Sequence, residues 1–230
     1  MTAAGQGVAA WGDRHASARR LVFWRHGRTT WNAEQRFQGQ TDIPLDDTGL
    51  AQAARAAKVL ARLKPSLIVS SDLSRARATA QQLADLTEVA VHDDPDLRET
   101  FAGEWEGLTR SELEERFGSE LAQWAAGADV RPGGGETRVE VAARVVAAVE
   151  RGLARVGEGE TLVVATHGGS ARAGIGALLE LPPEHWAALG VLTNCAWSVL
   201  QENTTGFGPG WRLQEYNAGS LPVAALADDR

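Results

Sequence analysis

Three short apolar runs in this chain stop abruptly in polar residues. Leu21-Val22-Phe23-Trp24 gives way to Arg25-His26-Gly27, Leu67-Ile68-Val69 to Ser70-Ser71-Asp72, and Leu162-Val163-Val164-Ala165 to Thr166-His167-Gly168-Gly169. Apolar runs without alternation predict strands buried on both faces, as in a parallel sheet covered by helices. Each is followed by a segment of helical period. From Gly49 to Leu63 the pattern sets Leu50, Ala54, Ala57 and Leu60 on one face, with Thr48 or Asp47 as N-cap. A second helix is predicted from Leu73 to Leu86, a third from Glu136 to Val156, and a fourth from Ser170 to Leu179, ending before Pro182-Pro183. Two later segments, Cys195 to Gln201 and Trp211 to Tyr216, extend the sheet, and the Gly/Pro-rich link between them suits an antiparallel pair. The fold class is α/β, a three-layer α/β/α sandwich whose six-stranded sheet is mostly parallel with one antiparallel strand.

Between Glu99 and Gly135 the rhythm breaks. This stretch holds Trp105, Trp124, several acidic residues and the turn Pro132-Gly133-Gly134-Gly135, with short helices expected near Thr109–Phe117 and Ser119–Ala126. It is too short for a core of its own and is expected to cap the sheet. The chain therefore divides into a flexible tail over residues 1–19, a single domain over 20–220 with its cap insert at about 100–135, and a C-terminal tail over 221–230.

Composition narrows the partners. The net charge of -7 argues against nucleic acid or an anionic membrane, both of which reward a basic surface. No apolar run reaches membrane-spanning length, and the Ala/Gly-rich first residues lack the apolar stretch of a signal peptide. The single cysteine, Cys195, allows no internal disulfide, which fits a cytoplasmic location. Cys195 lies in an apolar run with no basic residue beside it, so packing is expected of it rather than nucleophilic chemistry. A homodimer through an exposed helix or sheet edge is compatible with the sequence but not required by it.

In open α/β sheets, ligands sit beyond the carboxyl ends of the strands. If the three strands are neighbours, Arg25, His26, His167 and the Ser71–Arg75 segment meet there. Two arginines and two histidines at a helix N-terminus make a pocket for a dianion, because Arg offers a two-pronged fork to phosphate oxygens and the helix adds unpaired N–H groups. A metal site of His26, His167 and Glu99 is the rival reading, since that set suits zinc. The two arginines count against it, because cations crowd a metal.

The run Leu21 to Asn32, with Arg25-His26-Gly27-Arg28-Thr29-Thr30-Trp31-Asn32 at its centre, resembles the signature of the histidine phosphatase superfamily, the phosphoglycerate-mutase-like fold. Further blocks resemble the family in its order: Phe37-Gln38-Gly39-Gln40-Thr41-Asp42, Ser70-Ser71-Asp72-Leu73-Ser74-Arg75-Ala76, Leu97-Arg98-Glu99, Gly134-Gly135-Glu136-Thr137, and Val164-Ala165-Thr166-His167-Gly168-Gly169. The resemblance implies that His26 is a nucleophile that becomes phosphohistidine. It implies that Arg25, Arg75, His167 and Asn32 bind the phosphoryl oxygens, with a backbone N–H near Gly168 joining them. Glu99 would protonate the leaving alkoxide and then take a proton from water, for which it should start protonated. Glu104 and Glu106 compete for that role. Gln38 and the Gly39 backbone would orient the substrate. Arg28 and Arg36 are expected to be surface or supporting residues, and His15, His92 and His185 not to be catalytic. Trp31 and Trp105 are candidates for the pocket mouth.

Within the family, mutases carry longer basic inserts after the acid block to shield phosphohistidine from water. Here that stretch is short and acidic, with only Arg110, Arg116 and Arg131 as cations, so a phosphatase without cofactor or metal is expected over a mutase. A broad-specificity or α-ribazole phosphatase is the next alternative, and a phosphate-binding relative without activity a further one. The expected partner is a small phosphorylated metabolite. Glu99-Thr100, Leu179-Glu180-Leu181-Pro182, Trp186-Ala187-Ala188-Leu189-Gly190 and Trp211-Arg212-Leu213 resemble family members that act on a glucosylated phosphoglycerate, which makes that ester one expected substrate.

Overall fold

A computed structural model describes residues 17–219. The strands are β1 (Arg20–Arg25), β2 (Leu67–Ser70), β3 (Val91–Asp93), β4 (Thr161–Thr166), β5 (Trp197–Glu202) and β6 (Trp211–Ala218). They form one sheet in the order β3-β2-β4-β1-β5-β6, in which β5 alone runs against its neighbours. The longer helices are α1 (Asp47–Leu60), α2 (Ser74–Thr87), α3 (Arg110–Ala125), α4 (Arg138–Leu153) and α5 (Gly168–Leu178).

The unbroken apolar runs are explained by the layers on either side. Leu21, Phe23, Leu162 and Val164 face Val141, Val145 and Val149 of α4 and Ile175 of α5. Their neighbours Val22, Trp24, Val163 and Ala165 face the opposite way, onto Ala53, Ala57 and Leu60 of α1 and Ala80 and Leu83 of α2. A strand flanked by two helical layers has no solvent face, so period-2 alternation disappears. This is the α/β/α sandwich expected from the sequence, with one strand more than the named segments supplied. That strand, β3, has only three residues, sits at the sheet edge, and includes His92 and Asp93, which are exposed. It carries no apolar run to betray it.

Three local expectations change. The N-cap of α1 is Asp46, whose Oδ1 accepts from Gly49 N–H at 2.7 Å, instead of Thr48 or Asp47. The buried face of α1 is Gly49, Ala53, Ala56, Ala57 and Leu60, which leaves Leu50 exposed and Ala54 partly so. The pattern set the face one step off because the helix is alanine-rich on several sides. The tails expected over 1–19 and 221–230 lie outside the described residues except for residues 17–19. Those three are held: Ser17 C=O accepts from Gly159 N–H, Ala18 is buried, and Arg19 pairs with Glu202 at 2.5 Å.

The segment expected to cap the sheet forms α3, which is broken by a kink at Phe117, where φ is -132°, between the two short helices expected there. Thr109 and Glu112 close its N-terminus as a reciprocal capping box. The segment shares a small apolar cluster with a residue from outside it. Ala102, Trp105, Leu113, Leu121 and Trp124 pack with Phe37, which comes from the loop after β1. Two large indole rings and a borrowed phenyl ring supply what the segment's length alone could not.

Candidate active site

The register of the sheet brings the chemistry together. β1 lies beside β4 with Arg25 opposite Thr166, and β4 lies beside β2 with Ala165 opposite Ser70. His26, His167 and Ser71 each follow directly after one of these strands, so they converge at one carboxyl edge. His26 N–H donates to Thr166 C=O, which ties the two histidine-bearing loops to each other. The imidazole centroids of His26 and His167 stand 5.1 Å apart. Arg25, His26, Arg75 and His167 are all buried.

The hydrogen bonds fix both tautomers. His26 Nδ1 lies 2.7 Å from Gly27 C=O, and a carbonyl only accepts, so Nδ1 carries the proton and Nε2 keeps its lone pair. Arg75 Nε–H donates to His167 Nδ1 at 3.2 Å, which leaves the His167 proton on Nε2, 2.9 Å from Ser71 Oγ. Burial pushes the basicity of both rings well below the ordinary histidine value, and the Arg75 guanidinium pushes in the same direction. A neutral ring with one free nitrogen is the form a nucleophile needs.

The arginines are aimed by backbone. Arg25 Nη1 donates to Leu192 C=O at 2.6 Å. Arg75 donates through Nη1 to Thr41 C=O and through Nη2 to Gly39 C=O, at 2.8 and 2.7 Å. The 39–41 loop is held from its other side by Glu106, which accepts from Gln40 N–H, Thr41 N–H and Thr41 Oγ. Gly39 has φ +52°, and a Cβ there would fall on the Glu106 carboxylate, so both backbone and space require glycine. Glu106 thus clamps this loop. Asn32 and Gln38 are buried beside Thr29, whose hydroxyl lies 3.1 Å from Asn32 Oδ1 and 3.0 Å from Gln38 Oε1 and can donate its one proton to either.

Glu99 sits at the N-terminus of α5. Its Oε2 accepts from Gly169 N–H at 3.0 Å, and its Oε1 from Ser170 N–H and Thr100 N–H, both at 2.9 Å. The first amide of that helix, Gly168 N–H, donates to nothing among the described residues. Arg144 holds the chain on which Glu99 rides, donating to the carbonyls of Asp96, Arg98 and Glu99. His26, Gln38, Gly39, Arg75 and Glu99 line one open pocket.

Several expected residues lie elsewhere. Trp105 is fully buried in the cap cluster and not at a pocket mouth. Trp31 stands over Gly107, where an added Cβ would meet its ring at 3.3 Å. Arg28 pairs with Asp46 and Arg36 with Glu34. His92 and His185 are exposed, and His15 lies outside the described residues. Cys195 is buried, which pushes its thiol up to about 12. Among the described residues, no group of three or more His, Cys, Asp or Glu side chains could hold a metal ion, and no helix is long and apolar enough to cross a membrane. Sequence reasoning overlooked Arg144, Ser170 and the Leu192–Cys195 loop, whose Cys195 N–H and Asn194 Nδ2 both donate to His26 C=O. Their bonds run to backbone atoms over long sequence separations, and no local pattern records such contacts.

A neutral imidazole with one free nitrogen, two guanidinium groups and a helix N-terminus are groups suited to phosphoryl transfer, and the chain belongs to the histidine phosphatase superfamily, branch 1, whose family model matches residues 21–218. It is a phosphoric monoester hydrolase of that superfamily. Relatives named glucosyl-3-phosphoglycerate phosphatase, from Mycolicibacterium vanbaalenii and Mycobacterium tuberculosis, are each 41% identical, the matches covering 88% of this chain and 96% of theirs. A solved mycobacterial glucosyl-3-phosphoglycerate phosphatase complexed with VO3 is similar at TM-score 0.82 and 43% identity, over 88% of this chain and 100% of that one. A 2,3-bisphosphoglycerate-dependent phosphoglycerate mutase 2 from Gloeobacter violaceus is 34% identical over 71% of this chain and 77% of its own length.

Proposed function

We propose that this chain hydrolyses a phosphomonoester through a phosphohistidine on His26, and that its substrate is glucosyl-3-phosphoglycerate. The observation that carries the mechanism is the His26 ring, held neutral with Nδ1 bound to Gly27 C=O and Nε2 left for phosphorus. Nε2 attacks the phosphorus atom in line while the ester oxygen leaves. Arg25, Arg75, His167, Asn32 and the Gly168 N–H neutralise the three equatorial oxygens, where most of the rate enhancement of phosphoryl transfer arises. Gln38 and Gly39 position the ester.

Glu99 gives its proton to the departing alkoxide and later takes one from the water that attacks phosphohistidine. Its Oε1 already accepts from two amides, whereas Oε2 accepts from one, so Oε2 is the oxygen with room for that proton. The substrate assignment rests on the near full-length match to the mycobacterial phosphatases, which the mutase match does not equal in extent.

The test is a panel of glucosyl-3-phosphoglycerate, 3-phosphoglycerate, α-ribazole phosphate and p-nitrophenyl phosphate, compared by kcat/KM. The glucosylated ester should lead by at least tenfold. A flat panel would refute the narrow substrate and leave a broad-specificity phosphatase, whereas release of an isomerised ester instead of inorganic phosphate would indicate a mutase.

A further inference from the structure

A second recess, partly open to solvent, lies beside Thr100. Thr100 lines both cavities. The two lie close together: a Cβ built on Gly169, which lines the second recess, would lie 2.8 Å from Glu99 Oε1 and 3.3 Å from Thr100 Oγ1, which line the first. The second recess is lined by Arg138 and Arg172 with Trp124 and Trp186, and by no acidic residue.

The two arginines differ in how they are held. Arg138 is seated, with its guanidinium carbon 4.7 Å from the centroid of the Trp124 ring and Nη2 donating to Trp124 C=O at 2.6 Å. Arg172, half-buried on α5 one turn beyond Gly168, makes no hydrogen bond or ion pair among the described residues. Two cations sharing one recess without a carboxylate repel each other, and a bound anion reverses the sign of that interaction. A planar guanidinium fork matches a planar carboxylate, and indole walls suit the carbon skeleton that carries it.

We infer that this cavity is the leaving-group subsite and that Arg172 is a specificity-determining residue, holding a carboxylate on the alcohol part of the substrate. The inference rests on the phosphatase reading above and adds to it where the ester's alcohol lies. With the phosphoryl group against His26, the ester oxygen faces Glu99, and the rest of the alcohol passes Thr100 toward Arg172.

The pair 3-phosphoglycerate and glycerol 3-phosphate isolates the carboxylate, because they differ only in carboxylate against hydroxymethyl. The wild-type chain should favour 3-phosphoglycerate. Arg172→Gln should lower the ratio of the two kcat/KM values at least tenfold, mainly through a higher KM for 3-phosphoglycerate, and Arg172→Lys should recover part of that ratio. A ratio that does not move overturns the subsite, whether both activities persist or both collapse together through loss of structure. A wild-type chain without preference overturns it as well. A wild-type chain that hydrolyses neither member of the pair overturns the subsite alone, whereas one that also releases no phosphate from glucosyl-3-phosphoglycerate or p-nitrophenyl phosphate overturns the phosphatase reading, and the subsite falls with it.

Discussion

The phosphate end of the site and the cap side are built on opposite principles. At the phosphate end, His26, Arg25 and His167 extend directly from neighbouring strands, and their rings and forks are pinned to backbone carbonyls or to one another before any ligand arrives. On the cap side, Trp124 comes from a helix outside the sheet layers, while Arg138 and Arg172 come from two further helices, and the cavity keeps a half-buried cation in reserve. The first arrangement costs no reorganisation when charge develops in the transition state, which is where phosphoryl transfer draws its acceleration. The second tolerates variation in what is attached to the phosphate. One fold can thus keep its chemistry fixed in the sheet and change its substrate in the insert.

The sharpest way to separate the two regions is to remove the proposed nucleophile. His26→Ala should lower kcat/KM at least a hundredfold on every ester of a panel, about 2.7 kcal/mol or more of transition-state stabilisation. Steady-state kinetics would show it, and a loss confined to one ester would mean that His26 serves recognition instead.

Next comes pH. Both buried rings stay neutral in the folded chain but protonate below about 6.5 once it unfolds, so the unfolded state binds more protons there. Stability should therefore fall as pH drops from 6.5 toward 5, by up to about 1.4 kcal/mol per pH unit for each ring. Denaturant titrations across that window, on the wild type and on His26→Ala, should show a shallower slope in the variant.

A smaller effect is expected where the two regions meet. Gly39→Ala forces a left-handed backbone on alanine and pushes its methyl group into Glu106, for a loss of about 2 kcal/mol by chemical denaturation. An unchanged midpoint would show that the 39–41 loop is looser than its hydrogen bonds imply. Smallest of all, exhaustive chelation should leave turnover unchanged, since the proposed mechanism uses no metal; lost activity restored by zinc would revive the rival reading of His26, His167 and Glu99.

What the sequence disclosed follows the same division. The strands, their parallel order and the converging polar breaks were readable because burial on both faces erases alternation and leaves an apolar run with a sharp edge. His26, His167, Arg25 and Arg75 all stand at or just beyond such edges. The edge strand Val91–Asp93 had no comparable mark. Glu99 was singled out by family resemblance, but its seat on the α5 N-terminus was not, because that contact spans 71 residues to Ser170. Arg172 and Arg138 escaped notice for a related reason: each sits in an ordinary amphipathic helix, and only the packing of cap against sheet reveals that they share a cavity.

The claim on which the mechanism stands is a covalent bond between His26 Nε2 and phosphorus. Rapid mixing of the enzyme with a 32P-labelled phosphomonoester, quenched in alkali and followed by peptide mapping, measures it directly. The account predicts label that is stable to base, lost in acid, carried by the peptide containing His26, and missing from His26→Ala. Label on another residue, or turnover at the full rate with no labelled protein at any time, would contradict it.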